Sequence, residues 1–175
     1  LDTLKQFMSD HNQWLTNGIG EFHCDNGSEY TNKNMDQFCH VMCIKRSFTV
    51  PYAPPQNANA ERVWGILLRK MRCTLHACGL PESFWVYTMR QAALVHNISR
   101  RHSSARTPYC VVHGHDYNYK DDLRAFGCKV HYMVPDRDRQ SKVHPRALPA
   151  VYLGHDEQRK GIFVYIPMLS RITSS

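Results

Sequence analysis

Two acidic residues, Asp25 and Glu61, stand where they could hold divalent metal for phosphoryl-transfer chemistry. Asp25 closes a short apolar-leaning run and opens an Asp-Asn-Gly turn, while Glu61 falls in the first turns of a long amphipathic stretch. Thirty-five residues separate them, enough for one helix and one strand to return the chain to the same sheet edge. Hard Mg²⁺ prefers carboxylate oxygens and substrate phosphate in octahedral geometry. Two such ions about 4 Å apart activate the attacking oxygen and stabilise the leaving one. Solvated Asp and Glu are abundant, so one pair gains specificity only from the residues around it.

The elements that must position this pair follow from periodicity. Leu1, Leu4, Phe7, Met8 and Leu15 recur at helical spacing, predicting a helix over residues 1–15 that Asn17-Gly18 ends. Residues 19–24 suit a strand, and Asp25-Asn26-Gly27 turns the chain. Thr31 is placed to cap a helix striped by Met35, Phe38, Cys39 and Met42, and residues 44–50 read as a second strand. The prolines at 51, 54 and 55 exclude regular structure there. A long helix over 59–78 is expected to bury Ala60, Val63, Leu67, Met71, Thr74 and Cys78, with Gly79 as its stop. Pro81 restarts a helix to about 100, whose Phe84, Trp85, Ala92, Val95 and Ile98 should face the core. Thr107-Pro108 begins a short helix closed by Gly114. After Asp121-Asp122 the texture changes to β-like runs at 126–134, 150–153 and 162–166, enough for a small barrel or an incomplete sheet.

Charge is uneven along the chain. Residues 1–61 hold four Lys/Arg against seven Asp/Glu, whereas residues 62–106 hold eight against one. A basic stretch of this kind concentrates polyanions and supplies phosphate contacts, or is simply a solvated face. No apolar run approaches the roughly 20 residues needed to span a bilayer. The seven cysteines are an odd, scattered set, which points to reduced thiols in an intracellular protein. Cys39 and Cys43 flank His40, and Cys73 and Cys78 flank His76, but neither pair has zinc-site spacing. Cys39, Cys73 and Cys78 fit apolar helix faces and read as buried small hydrophobes.

The motifs are more specific than the acids. Asp25-Asn26-Gly27-Ser28-Glu29-Tyr30-Thr31 and Pro51-Tyr52-Ala53-Pro54-Pro55-Gln56-Asn57-Ala58-Asn59-Ala60-Glu61-Arg62 resemble the two catalytic-acid motifs of copia-type retrotransposon integrases. These are DDE-type enzymes of the RNase H-like superfamily, encoded within Pol polyproteins of LTR elements. The interval between the acids is typical of that family. Gly79-Leu80-Pro81-Glu82-Ser83-Phe84-Trp85 and Arg106-Thr107-Pro108-Tyr109 look like its segments after the core. The runs from Arg124 to Cys128 and from Val151 to Gly154 resemble the SH3-like module that follows.

The resemblance implies an α/β fold: a partial RNase H-like core with its helices over 1–106, a linker with a short helix over 107–122, and an SH3-like β module over 123–170. It implies that Asp25 and Glu61 are metal-binding catalytic carboxylates for two Mg²⁺ (or Mn²⁺) ions. The activity implied is polynucleotidyl transfer that integrates element DNA into a target, by a homo-oligomer with nuclear access and no membrane. Gln56 and Asn57 would sit in the loop near DNA, and Arg62, Arg69, Lys70 and Arg72 are candidate phosphate contacts. Glu29 is given a structural or hydrogen-bonding role. The family's first catalytic aspartate is expected upstream of Leu1. Ala58 stands where a glycine is usual, and Trp64 and Gly65 where polar and basic residues are usual. The alternative function is a catalytically inactive, transposon-derived remnant that binds nucleic acid.

Overall fold

The computed structural model describes residues 1–11, 18–50, 58–100, 104–119, 123–139, 141, 143, 145–156, 159 and 161–175. They form two compact units, Leu1–Trp64 and Gly65–Ser175, which divide within a helix.

The first unit holds helix α1 (Asp2–Asp10), strand β1 (Glu21–Cys24), helix α2 (Lys33–Val41), strand β2 (Lys45–Phe48) and the start of helix α3 (Ala58–Cys78). Helix α1 is shorter than expected: His11 caps it, and Leu15 and Asn17 lie outside the described residues. Strands β1 and β2 pair in parallel, from Glu21 opposite Lys45 to Cys24 opposite Phe48. Parallel neighbours need a crossover, and α2 supplies it. The sheet is extended at its two ends by Lys45 N–H to Gly20 O and Thr49 N–H to Cys24 O, both 3.0 Å. Met35, Cys39 and Ile44 form the centre of the core, with Leu1, Leu4, Met8, Ile19, Phe22, Tyr30 and Phe38 packed around them.

Helix α2 corrects the expected cap. Asn32 rather than Thr31 is the N-cap, its side chain accepting from Met35 N–H at 3.0 Å. Met42 falls past the helix end and is exposed. Helix α3 has the expected length, but none of its residues is buried. Ala60 and Val63 are exposed, while Leu67, Met71, Thr74 and Cys78 are only half-buried. Cys73 is likewise exposed rather than buried.

In the second unit α3 stops at Gly79, whose φ of +65° favours a residue without Cβ and whose N–H reaches Leu75 O at 3.1 Å. A 3₁₀ turn over Glu82–Phe84 leads into α4 (Trp85–Ile98). Phe84, Ala92 and Ile98 are buried as expected, but Trp85 is 52% exposed. Helix α5 (Pro108–His113) has Thr107 as its cap, accepting from Cys110 N–H at 3.0 Å, and Gly114 as its close.

Strands β3 (Lys129–Met133), β4 (Ala147–Asp156), β5 (Gly161–Ile166) and β6 (Arg171–Ser174) form an antiparallel sheet in sequence order. Strand β6 was not expected. One sheet face carries the core of Val134, Leu148, Ala150, Val164 and Ile166. The alternate side chains of β5 meet the 3₁₀ turn and α4: Tyr165 lies edge-on to Phe84 of the turn at 5.0 Å and Phe163 to Tyr87 of α4 at 5.5 Å. Period-two alternation thus serves both layers. The register shifts between Tyr152 and His155, where Gly154 takes a φ of +110°.

Among the described residues no helix is long and apolar enough to cross a membrane.

Candidate functional site

Asp25 follows the last residue of β1, and the turn around it is held from several directions. Its Oδ1 accepts the Gly27 N–H at 3.1 Å, the local bond that suits Asp to a turn's first position. Gly27 O in turn accepts Tyr30 N–H at 2.9 Å, Thr31 N–H at 3.1 Å and the Thr31 hydroxyl at 3.2 Å. This is where the predicted cap residue, Thr31, is engaged instead. Asn26 Nδ2 donates to Thr49 O at 3.0 Å, tying the turn to the residue beyond β2. Asn32 Nδ2 donates to Glu29 O at 2.8 Å, so one side chain serves both turn and helix.

Gly27 leaves room for two carboxylates. A Cβ built there would stand 2.8 Å from Glu29 Oε2 and 3.1 Å from Asp25 Oδ1, so the two oxygens lie within about 6 Å of one another. Both side chains are exposed. At Glu29 the hydrogen bond from Asn32 falls on the backbone carbonyl, while its carboxylate and that of Asp25 both lie over Gly27.

Arg46 of β2 is a residue that sequence reasoning missed. Its guanidinium donates to Asp36 Oδ1 of α2 and to Tyr30 O of the turn. It stacks 4.6 Å over the Phe48 ring, and its side chain is 10% exposed. The available signal was one arginine inside an otherwise strand-like run, which by itself reads as a solvated position. Beside it, burial pushes the Cys24 thiol up, with Arg46 opposing part of that rise, and burial also raises Cys39. Both thiols are therefore poor nucleophiles and metal ligands near neutral pH.

Glu61 occupies the first turn of α3 and is exposed. A carboxylate there is favoured by the helix dipole. The segment joining β2 to α3, with Gln56 and Asn57, lies outside the described residues. Arg62, Arg69 and Arg72 are exposed on α3, whereas Lys70 is half-buried, which lowers its ammonium pKa. Trp64, at the third position after Glu61, is 54% exposed.

The donor types fit a hard divalent cation, since Asp25, Glu29 and Glu61 all offer exposed carboxylate oxygens. Their number does not complete a site: among the described residues no group of three or more His, Cys, Asp or Glu is gathered to hold a metal ion.

No family model matches the chain. Over 152 residues it is 28% identical to the Retrovirus-related Pol polyprotein from transposon TNT 1-94 of Nicotiana tabacum. That match takes in 86% of this chain and 11% of the relative, so the chain spans about a tenth of the relative's length. Among solved structures it is similar to a chain of the simian T-cell lymphotropic virus intasome in complex with PP2A regulatory subunit B56 gamma. There identity is 17% and TM-score 0.49, covering 97% of this chain and 60% of that one. It is also similar to the HTLV-2 integrase catalytic core domain in complex with magnesium. In that case identity is 21% and TM-score 0.48, over 64% of this chain and 68% of that one. The described residues have a mixed α/β structure that includes a four-stranded antiparallel sheet. By sequence the chain is similar to a part of that retrovirus-related Pol polyprotein.

Proposed function

We propose that this chain is a working part of a retrotransposon integrase, with Asp25 and Glu61 as two of the carboxylates that hold catalytic Mg²⁺ or Mn²⁺. The observation that carries the reading is the Asp25 turn: an exposed carboxylate at the end of a parallel strand, fixed by its own Gly27 amide and by Asn26 to Thr49. In the intact protein the activity is metal-dependent polynucleotidyl transfer on element ends and target DNA. Gln56, Asn57, Arg62, Arg69, Lys70 and Arg72 contact DNA, the four-stranded sheet acts as an SH3-like module, and the assembly is a homo-oligomer. A bound Mg²⁺ would supply charge stabilisation to the transferring phosphoryl group, and Asp25 and Glu61 would supply oxygen donors to it. The test is strand transfer by the intact integrase carrying this segment. Asp25→Asn and Glu61→Gln should each reduce transfer to background with DNA binding retained. Transfer that survives either change removes that residue from the metal site.

A second reading is nucleic-acid binding without catalysis, for which the exposed Arg62, Arg69 and Arg72 of α3 would supply the contacts. Both readings need phosphate contacts on α3. Replacing Arg62, Arg69 or Arg72 by Ala should each lower the slope of log affinity against log salt by about 1. An unchanged slope in all three excludes the α3 surface as a phosphate contact. Only the enzymatic reading adds metal-dependent transfer to that binding.

A further inference from the structure

Arg46 is a mostly covered cation in an unexpected place. Its side chain is 10% exposed although β2 is short and both its strand neighbours are at least partly accessible. Burying a guanidinium is unfavourable unless its donors are satisfied, and an apolar side chain of similar volume is often at least as stable. Here two donors reach acceptors on two different segments, Asp36 Oδ1 in α2 and Tyr30 O in the turn. The cation also covers the Phe48 ring, while Nε is buried with no partner among the described residues. Such an arrangement is a costly way to gain stability and an effective way to fix geometry, because the planar fork sets distance and direction together.

What it fixes is the far side of the Asp25 turn. Tyr30, whose carbonyl Arg46 holds, donates its own N–H to Gly27 O. Gly27 donates its N–H to Asp25 Oδ1. The path from the guanidinium to the carboxylate is therefore three hydrogen bonds, through Tyr30 and Gly27. Asn26 to Thr49 anchors the near side of the same turn. We infer that Arg46 is a positioning residue for Asp25, clamping the 25–31 turn between β2 and α2 so that the carboxylate keeps a fixed direction.

This inference rests on the reading of Asp25 as a metal ligand, and the test separates the two. Arg46→Met keeps the volume and removes every donor; Arg46→Lys keeps the charge but cannot span both acceptors. Amide hydrogen exchange of the full chain reads the turn directly. In both variants protection at Gly27, Tyr30 and Thr31 should fall about tenfold or more, while Lys45 and Thr49 of the β1–β2 ladder stay within about twofold. Titration with Mn²⁺ reads the carboxylate: half-broadening of the Asn26 and Gly27 amides should need about tenfold more metal than in the unsubstituted chain. Unchanged turn protection in both variants overturns the inference. So does a loss shared equally by the ladder and the turn in Arg46→Lys, since Arg46 would then be a general core contact. If Mn²⁺ leaves the Asn26 and Gly27 signals of the unsubstituted chain untouched, the metal reading of Asp25 fails. The exchange data then still decide whether Arg46 holds the turn.

Discussion

Gly27→Ala perturbs the candidate site with little expected effect on the fold. Gly27 is not in the left-handed region, so alanine brings no backbone strain there. Removing glycine's freedom in the unfolded chain favours the variant by about 0.4–1 kcal/mol. Against this, the new methyl would stand 2.8 Å from Glu29 Oε2 and 2.9 Å from its Cδ. It would stand 3.1 Å from Asp25 Oδ1. The Glu29 carboxylate ends a flexible exposed side chain and can swing away cheaply. Asp25 has less freedom, because moving Oδ1 loosens its bond from Gly27 N–H, worth about 0.5–1.5 kcal/mol net. The terms nearly cancel, leaving stability within about 1 kcal/mol and the melting temperature within about 4 °C. Metal affinity should behave differently. A carboxylate pushed out of its held direction loses about tenfold in Mn²⁺ affinity, the usual effect of disturbing an orienting partner. Thermal melting followed by circular dichroism and Mn²⁺ binding followed by electron paramagnetic resonance measure the two quantities on one sample. A melting temperature lowered by more than about 10 °C would refute the claim that only movable carboxylates occupy the space over Gly27. Unaltered Mn²⁺ affinity would refute the claim that this space orients a ligand.

Two further predictions concern the second unit. Gly127 has a φ of +80° and its missing Cβ would fall 2.4 Å from Cys78 Cβ, whereas Gly79 has a φ of +65° with open space around it. Gly127→Ala should cost about 2–4 kcal/mol in urea unfolding and Gly79→Ala about 1 kcal/mol; equal losses would remove the steric part of the argument. Tyr152 is fully buried with its hydroxyl unpartnered among the described residues. Burial, then Tyr117 and Cys128, push it from an ordinary 10 up to about 12, with Arg124 opposing. Between those values the unfolded chain has released the proton and the folded chain keeps it, so stability falls as pH rises from about 10 to about 12. Tyr152→Phe should flatten that fall and stabilise the protein near neutral pH by about 1 kcal/mol; an alkaline unfolding curve unchanged by the substitution would exclude this hydroxyl as its source.

The order strand, turn, helix, strand around Asp25 was legible because each element carries its own local signal: an apolar run, Asp-Asn-Gly, a 3.6-residue stripe, a second run. What failed were the details set by contacts between elements. Thr31 and Asn32 are both good caps by type, and the choice fell to Asn32 because Gly27 O already engages the Thr31 hydroxyl. Helix α3 was expected to bury one face, but periodicity records only that apolar residues share a side, not that a partner covers them. Strand β6 was missed because Arg171-Ile172-Thr173-Ser174 has one large apolar residue; its pairing with β5 is a backbone matter. Arg46 was the costliest omission. Its acceptors lie 10 and 16 residues back along the chain, and only folding brings them to one guanidinium.

These contacts also divide the candidate pair into two unlike halves. The bonds that shape the Asp25 turn all arise within residues 24–49, from β1, α2, β2 and the turn itself. That half is self-contained, and its geometry does not depend on Glu61. Glu61 sits in the first turn of a helix with no buried residue, and α3 crosses the division between the two units. Like Asp25, Glu61 itself belongs to the first unit, Leu1–Trp64. The two carboxylates are held differently, Asp25 by the hydrogen bonds of its turn and Glu61 by its place in the first turn of a helix. On the proposed reading of Asp25 as a metal ligand, changes at Gly27 or Arg46 should therefore act on metal affinity through Asp25.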